Sequence, residues 1–453
     1  MIHKFEIDGI RIVLDVNSGA VHIVDKLVYE ILDYYPSKGM DETFEIVKDK
    51  YSKDEIDNAF EEIRYLKEND MLFCDDSYIN DSSFINRKPV IKALCLHIAH
   101  DCNIRCEYCF ASQGDFKGDR SLMSEEVGKK ALDLLIENSG NRRNLEVDFF
   151  GGEPLLNFDV VKKLVEYGRK REKETNKNFR FTLTTNGVLL NDEIIEYINE
   201  NMENVVLSID GRKEINDKMR YTINRSGTYD IILPKIKKMV EARKDKSYYV
   251  RGTFTKHNLD FANDVLHLAD LGFKNTSVEP VVAEPGMPYE LTEKDLPVIY
   301  EHYENLAKEM IRREKAGEGF NFFHFTIDLN QGPCVIKRLT GCGAGSEYLA
   351  ITPQGDLYPC HQFVGNEDFK IGDVDSGIIN RELGKKFGNA HVYNKQKCRD
   401  CWAKFYCSGG CHANAFNFNK DINIPYELGC EMEKKRIECS LYVKAKLSIE
   451  SSK

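Results

Sequence analysis

From residue 93 to about residue 316 the chain alternates six times between a short apolar run and an amphipathic helical period. The strand-like runs are 93–98, 145–150, 179–184, 204–209, 248–254 and 275–281, and the helical stretches lie near 124–138, 158–173, 191–201, 228–243, 260–271 and 291–316. Repeated strand–helix units force a parallel sheet, because each helical crossover returns the next strand in the same direction. Six units predict an α/β fold, a partial (β/α)6 barrel built as a TIM barrel is, with ligand loops at the C-terminal strand ends. A doubly wound open sheet is the competing arrangement, but no G-x-G-x-x-G turn is present to support it.

The first run, Ala93-Leu94-Cys95-Leu96-His97-Ile98, leads into Cys102-Asn103-Ile104-Arg105-Cys106-Glu107-Tyr108-Cys109-Phe110. Three thiols spaced C-x3-C-x2-C on one loop point to metal or redox chemistry, and three readings are open. Zinc takes four protein ligands in structural sites and usually draws them from well-separated cysteine pairs. A redox dithiol needs only C-x2-C beside a βαβ unit. A four-iron cluster takes a thiolate on each iron, so three clustered cysteines fill three corners and leave one iron for a small molecule.

The N-terminus, Met1-Ile2-His3-Lys4-Phe5-Glu6, has no basic segment followed by an apolar one. No signal peptide is therefore expected, and a cytoplasmic location is. Fourteen cysteines in such a reducing compartment argue for metal rather than disulfides. No uncharged apolar run approaches the ~18 residues that cross a bilayer, so no membrane partner is expected. A net charge of −11 argues against a nucleic-acid partner.

The turns after the next three strands are polar. Gly151-Gly152-Glu153-Pro154 follows the second, where two glycines allow close approach and a carboxylate suits an ammonium group. Thr184-Thr185-Asn186-Gly187 follows the third, and Ser208-Ile209-Asp210-Gly211, with Arg220 beyond it, follows the fourth. An arginine fork fits a carboxylate, although a lone arginine is as readily a surface ion pair worth under about 1 kcal/mol. Each turn alone is common; four in order at one end of one sheet form a pattern.

That pattern, with the Cys102–Phe110 loop, resembles the radical S-adenosylmethionine (SAM) enzymes. The resemblance implies a [4Fe–4S] cluster on Cys102, Cys106 and Cys109 as the catalytic centre, its open iron chelated by SAM. It implies reductive cleavage of SAM to a 5′-deoxyadenosyl radical, the cofactor carrying the hard step. It further implies Glu153 of the Gly151-Gly152-Glu153 turn on the SAM amino group, Ser208 and Asp210 near the ribose, and Arg220 on the carboxylate. Thr185 and Asn186 belong to the same pocket, with Tyr108 and Val281 near the adenine.

Residues 325–440 lose the strand–helix period and fill with Gly, Pro and Cys. Cys342-x12-Gly355-x4-Cys360 is followed by Cys398-x2-Cys401-x5-Cys407-x3-Cys411-x18-Cys430. A zinc ribbon explains 398 to 411 but not seven ligands. The spacing resembles the SPASM domain, which implies two auxiliary [4Fe–4S] clusters, three in all. Cys398, Cys401, Cys407 and Cys430 would ligate one, and Cys342, Cys360 and Cys411 the other. The eighth corner is left to Cys334 or to a substrate cysteine, whose sulfur iron makes anionic. Trp402, the single tryptophan, is expected over a cluster. Cys74, Cys95 and Cys439 match no motif and are expected as buried packing residues. A final amphipathic helix is expected over 431–449.

Residues 1–75 hold 9 Lys and Arg against 18 Asp and Glu, a balance of −9, so the remaining chain is nearly neutral. An Asn17-Ser18-Gly19 turn between alternating runs predicts a hairpin. Helical patterns follow over 25–35, 40–51 (capped at Asp41) and 52–69 (a capping box of Ser52 and Glu55), then a short strand at 71–73. This make-up looks like a winged-helix module with an acidic recognition helix, which argues against DNA. It resembles the recognition elements that take up the leader of a ribosomally synthesised precursor peptide as an added strand. The expected domains are 1–75 for leader binding, a linker over 76–92, the barrel over 93–324, and the auxiliary-cluster domain with its C-terminal helix over 325–453.

Taken together the chain resembles radical SAM/SPASM peptide maturases of the sactisynthase type, most closely the SCIFF (six cysteines in forty-five residues) maturases. The resemblance implies a thioether joining a cysteine sulfur to an acceptor α-carbon, with electrons from a reduced flavodoxin or ferredoxin type of donor. The rivals are an anaerobic sulfatase-maturing enzyme, a peptide epimerase and a non-enzymatic electron-transfer protein. The first carries Asp after the cysteine matching Cys360, where this chain has His361.

Overall fold

The computed structural model describes residues 1–79, 90–329 and 335–451. At the N-terminus, β1 (Ile2–Ile7), β2 (Ile10–Asp15) and β3 (Val21–Val24) form an antiparallel sheet in that order. Side chains alternate across it. Val13 joins Leu27, Ile31, Ile56, Phe60 and Ile63 in the module's own core, whereas Phe5, Ile7, Ile12 and Leu14 belong to the core of the main body. The sheet is thus sandwiched between its own helices and the rest of the protein.

Asp25 opens α1 (Lys26–Val47) by accepting the Val28 N–H, and Ser52 and Glu55 form the capping box of α2 (Lys53–Glu68). The helical patterns expected at 25–35 and 40–51 are two helical segments that meet at a kink, where Gly39 takes non-helical φ 73° and ψ −174°. One expectation fails here. Residues 71–73 are not a strand. The Met71 N–H returns to the Leu66 carbonyl at 2.9 Å, and Asp70 and Phe73 take left-handed φ of 54° and 60°, which ends the helix in a turn.

Residues 80–89 of the expected linker lie outside the described part, but its start is anchored. Asp76 accepts from Tyr393 Oη at 2.7 Å and pairs with Lys404 at 2.8 Å, both in the cysteine-rich domain.

Six strands carry the barrel: β4 (Ala93–His100), β5 (Asn144–Gly151), β6 (Asn178–Thr185), β7 (Asn204–Ser208), β8 (Ser247–Phe254) and β9 (Asn275–Pro280). They lie parallel and adjacent in chain order. Helices α3 (Glu125–Asn138), α4 (Phe158–Thr175), α5 (Asp192–Asn201), α6 (Tyr229–Arg243), α7 (Ala262–Asp270) and α8 (Leu296–Lys315) alternate with them. Leu145, Val147 and Phe149 of β5 are wholly buried in the core, while Glu146, Asp148 and Phe150 between them are half-buried. That period-two alternation is what a strand with one face under helices and one toward a barrel interior produces.

The cysteine-rich domain is not a separate body. Its strand β10 (Tyr348–Ile351) pairs parallel with β4, Tyr348 opposite Ala93, and so extends the barrel sheet. The last helix, α9 (Glu427–Ser451), packs on α8 through Lys435 and Glu304 (2.6 Å) and meets the N-terminal sheet through His3–Glu438 (3.0 Å) and Tyr442–Asp8 (3.2 Å). Among the described residues no helix is long and apolar enough to cross a membrane.

Candidate active site and thiol sets

The cysteine loop leaves the C-terminal end of β4 and is held by its own backbone. Arg105 Nη1 donates to the carbonyls of Cys102 (2.6 Å) and Ile104 (2.8 Å). Ile104–Cys106 pairs antiparallel with Arg220–Thr222, which sets Arg220 opposite Cys106. Gly114 (φ 106°) seals the loop from behind, because a Cβ there would stand 2.7 Å from the Cys102 Cβ. No motif marks Gly114 in the sequence.

Gly151 and Gly152 let the end of β5 press against this loop. A Cβ on Gly152 would fall 2.2 Å from the Asp101 carbonyl oxygen and 3.0 Å from the Gly114 Cα. Without one, Gly152 N–H reaches the Ala99 carbonyl at 2.8 Å and Glu153 N–H the Asp101 carbonyl at 2.9 Å. Glu153 is thereby fixed beside the cysteines, wholly buried. Its Oε1 accepts from Thr185 Oγ1 (2.8 Å) and Leu155 N–H (3.0 Å), and its Oε2 from Asn186 N–H (2.8 Å). Asn186 Nδ2 donates to Asn103 Oδ1 at 2.7 Å and lies 3.6 Å from Cys102 Sγ.

Across the loop stands a second network. Tyr108 Oη donates to Asp210, 2.8 and 2.7 Å from its two oxygens, and accepts from Arg220 Nη1 at 3.1 Å. Arg220 Nη2 reaches the Ser208 carbonyl at 3.4 Å, and Thr253 N–H holds Asp210 at 3.0 Å. Val281 is buried beyond β9 with its N–H on the Phe254 carbonyl (2.8 Å).

The electrostatics suit the group that the loop is read as holding. Burial pushes the Cys102 thiol up to about 11 and the Cys106 thiol up to about 12, and raises Cys109 as well, with Arg220 acting against the rise in all three. Thiols this reluctant to ionise become thiolates only when a metal centre compensates them. Burial also pushes Glu153 up to about 7 and Asp210 up to about 6. The Arg220 Nε is buried without a hydrogen-bond partner. A buried carboxylate on one side of three thiols and an incompletely used guanidinium on the other complement the ammonium and carboxylate of an amino-acid zwitterion.

The second domain brings its thiols into two groups. Cys398, Cys401, Cys407 and Cys430 line one cavity of about 390 Å³. Burial pushes Cys430 up to about 11, with Cys398 and Cys401 adding to it. Elsewhere burial raises Cys360, reinforced by Cys411 and Cys342, and it raises Cys411, reinforced by Cys342. Cys334 lies outside the described residues. No three of the described His, Cys, Asp and Glu side chains converge as a single-ion site would require. Thiols of a four-iron cluster each take a different iron and need no such convergence.

Trp402, next to Cys401, stacks one face of its indole on the His3 imidazole with centroids 3.6 Å apart and planes 2° apart. Cys95 and Cys439 are fully buried packing residues, whereas Cys74 is only half-buried and donates its N–H to Asp15 at 3.2 Å. His361, directly after Cys360, turns back toward the barrel interior. Its ring lies 5.2 Å from Phe110, at the end of the cysteine loop, and 5.2 Å from Phe150 of β5.

Residues 96–269 match the radical SAM superfamily model, and residues 342–402 match the SPASM model, described as an iron–sulfur cluster-binding domain. The cysteine-type anaerobic sulfatase-maturating enzyme of Clostridium novyi (strain NT) is 26% identical over 72% of this chain and 87% of its own length. The radical SAM cyclopropyl synthase TigE of Paramaledivibacter caminithermalis is 24% identical over 87% of this chain and 84% of its own. Among solved structures, native anSMEcpe with bound AdoMet and Kp18Cys peptide superposes with a TM-score of 0.63 at 21% identity, covering 79% of this chain and 99% of that one. The fold is thus a radical SAM domain followed by a SPASM domain, and its cofactors are [4Fe–4S] clusters and SAM.

Proposed function

From a chain that carries a radical SAM domain and a SPASM domain, we propose an enzyme that installs an intramolecular thioether in a ribosomally made, cysteine-rich precursor peptide. Cys102, Cys106 and Cys109 hold the SAM-binding cluster, Glu153 takes the SAM ammonium, and Arg220 takes its carboxylate. Tyr108 and Asp210 keep the guanidinium aimed. Thr185 and Asn186 hold Glu153 in place by donating to its two oxygens. Cys398, Cys401, Cys407 and Cys430 hold one auxiliary cluster, and Cys342, Cys360 and Cys411 the other. When bound, these groups supply a carbon radical that takes a hydrogen atom from the acceptor residue and an acceptor for the electron released as sulfur bonds to that carbon.

The observation that carries this reading is the three-thiol set of Cys342, Cys360 and Cys411, joined through His361 to the rim of the cysteine loop. Unless Cys334 fills it, the fourth corner of a cluster on these three thiols would be open to a peptide sulfur, and His361, next to Cys360, packs against Phe110 and Phe150 of the barrel. Histidine at this position, where the sulfatase-maturing type carries Asp, favours the thioether reading over formylglycine formation.

The N-terminal sheet supplies a place for the leader. Asp15 N–H reaches the Ala20 carbonyl at 2.9 Å, so the pairs Val13–His22 and Arg11–Val24 exchange the ladder bonds. The backbone groups of Val21 and Ile23 then point away from β2 along an edge that no other described strand covers. An extended peptide can add there as a fourth strand. A reduced flavodoxin or ferredoxin type of donor and a cytoplasmic location belong to the same proposal.

The test uses reconstituted protein with SAM, a strong reductant and a leader-bearing peptide. Each bridge is expected to remove two hydrogens from the peptide and one alkylatable thiol, with 5′-deoxyadenosine formed alongside. Cys106→Ala should abolish both products. A peptide that loses mass while every thiol stays alkylatable would overturn the thioether assignment.

A further inference from the structure

Lys395 precedes the short helix that carries Cys398, and its side chain is 0% exposed. Its Nζ donates to the Gly409 carbonyl at 2.8 Å and lies 3.3 Å from His412 Nδ1. Gly409 sits between Cys407 and Cys411, and a Cβ there would approach the lysine Cδ and Nζ to 3.5 Å. His412 offers a ring nitrogen and no negative charge.

Among the described residues no carboxylate pairs with Lys395. The lysines lining the cavity of Cys398, Cys401, Cys407 and Cys430 are all paired: Lys397 with Glu427, Lys404 with Asp76 and Lys434 with Glu431. Lys395 alone is both the deepest and the one without a carboxylate. A buried ammonium left without an anion is an unfavourable arrangement, tolerated where something else supplies the negative charge. Thiols of both sets surround it, Cys398, Cys407 and Cys430 from one and Cys411 from the other, and they supply negative charge only as thiolates on a cluster.

We propose that Lys395 is the shared counter-charge of the two auxiliary clusters, a positioning residue that makes each easier to reduce. This rests on the reading that both thiol sets hold clusters. A cluster ligated by thiolates carries net negative charge, and the fixed ammonium lowers the cost of adding one more electron. In a reaction that releases an electron as the C–S bond closes, such a charge helps the auxiliary pair accept it. The lysine touches neither peptide nor SAM; it acts through the clusters alone.

The test compares full-length wild type, Lys395→Gln and Lys395→Met after anaerobic reconstitution. Electron paramagnetic resonance follows a redox titration of the cluster signals that do not change on adding SAM. Both variants are expected to shift the one-electron equilibrium of at least one such cluster toward the oxidised form by about tenfold, about 59 mV more negative. The cluster-free Lys395→Met protein is expected to melt no lower than cluster-free wild type, because there the lysine has no anion to lose. Loss of iron in both variants with that melting unchanged also supports the proposal, since the clusters then lack their counter-charge.

Lys395→Gln at the wild-type potential would overturn it, leaving the side chain as a hydrogen-bond donor to Gly409. So would a cluster-free Lys395→Met protein that melts well below wild type, which would make the residue a packing element. Wild type without any SAM-insensitive cluster signal would sink the cluster reading as well. Wild type with such signals, unmoved in both variants, sinks this inference alone.

Discussion

Glu153 is asked to be stable enough when empty and charged when SAM arrives, and the two demands conflict. Burial raises its carboxyl from 4.5 to about 7 despite three hydrogen bonds that favour the ionised form. A raised folded pKa contributes stability that is fully present below the unfolded value and is lost as pH climbs through the folded one. At about 1.4 kcal/mol per unit, the loss between pH 4.5 and pH 8 is about 3 kcal/mol. Glu153→Gln removes this titration. The glutamine oxygen keeps the bonds from Thr185 and Leu155, while its amide faces the Asn186 N–H and costs about 1–3 kcal/mol at every pH. The stability difference between variant and wild type should therefore move by about 3 kcal/mol in the variant's favour between pH 4.5 and 8, measured by urea unfolding of cluster-free protein. SAM affinity of reconstituted wild type should fall about tenfold per pH unit below 7, and the variant should bind weakly at all pH. Parallel stability curves, or a glutamine variant that binds SAM as wild type does at pH 8, would refute the reasoning.

Gly152→Ala should cost more than an ordinary surface substitution, because the new methyl meets the Asp101 carbonyl at 2.2 Å and neither backbone can yield easily. We expect destabilisation of about 2 kcal/mol or more and loss of iron at the first cluster, read by thermal melting and iron content; wild-type iron binding would contradict it. Ile23→Pro removes an outward N–H from an edge strand without touching the ladder to β2. SAM cleavage should persist while modification of a leader-bearing peptide weakens by about tenfold or more, and unchanged modification would rule out docking on this edge. Deleting residues 1–75 is a poorer test, because Phe5, Ile7, Ile12 and Leu14 lie in the main core.

The barrel could be read from the sequence because its signals are local. Strands of period two between helices of period 3.6 announce themselves one at a time, and the polar turns at Gly151, Thr185 and Ser208 follow directly from where each strand stops. Errors fell where a single residue breaks the period. Left-handed Asp70 and Phe73 turn an apolar Met71-Leu72-Phe73 into a bend rather than a strand. The helix expected from 291 starts only at Leu296, after a Thr292–Asp295 capping box takes up the first turn. What stayed hidden is non-local. Gly114 matters because Cys102 folds onto it, Lys395 because the chain near 409–412 returns to bury it, and Trp402 because His3 arrives from the opposite end of the chain. The pairing of β10 with β4 belongs to the same class, since no pattern near Tyr348 names its partner.

The proposed reaction turns on where a hydrogen atom goes. A leader-bearing peptide carrying deuterium at the α-carbon of its acceptor residues, incubated with reconstituted enzyme, SAM and reductant, should return that deuterium in 5′-deoxyadenosine. The same peptide molecules should each lose one free thiol per bridge. Deuterium retained in a peptide with all its thiols free, while SAM is consumed, would contradict the account.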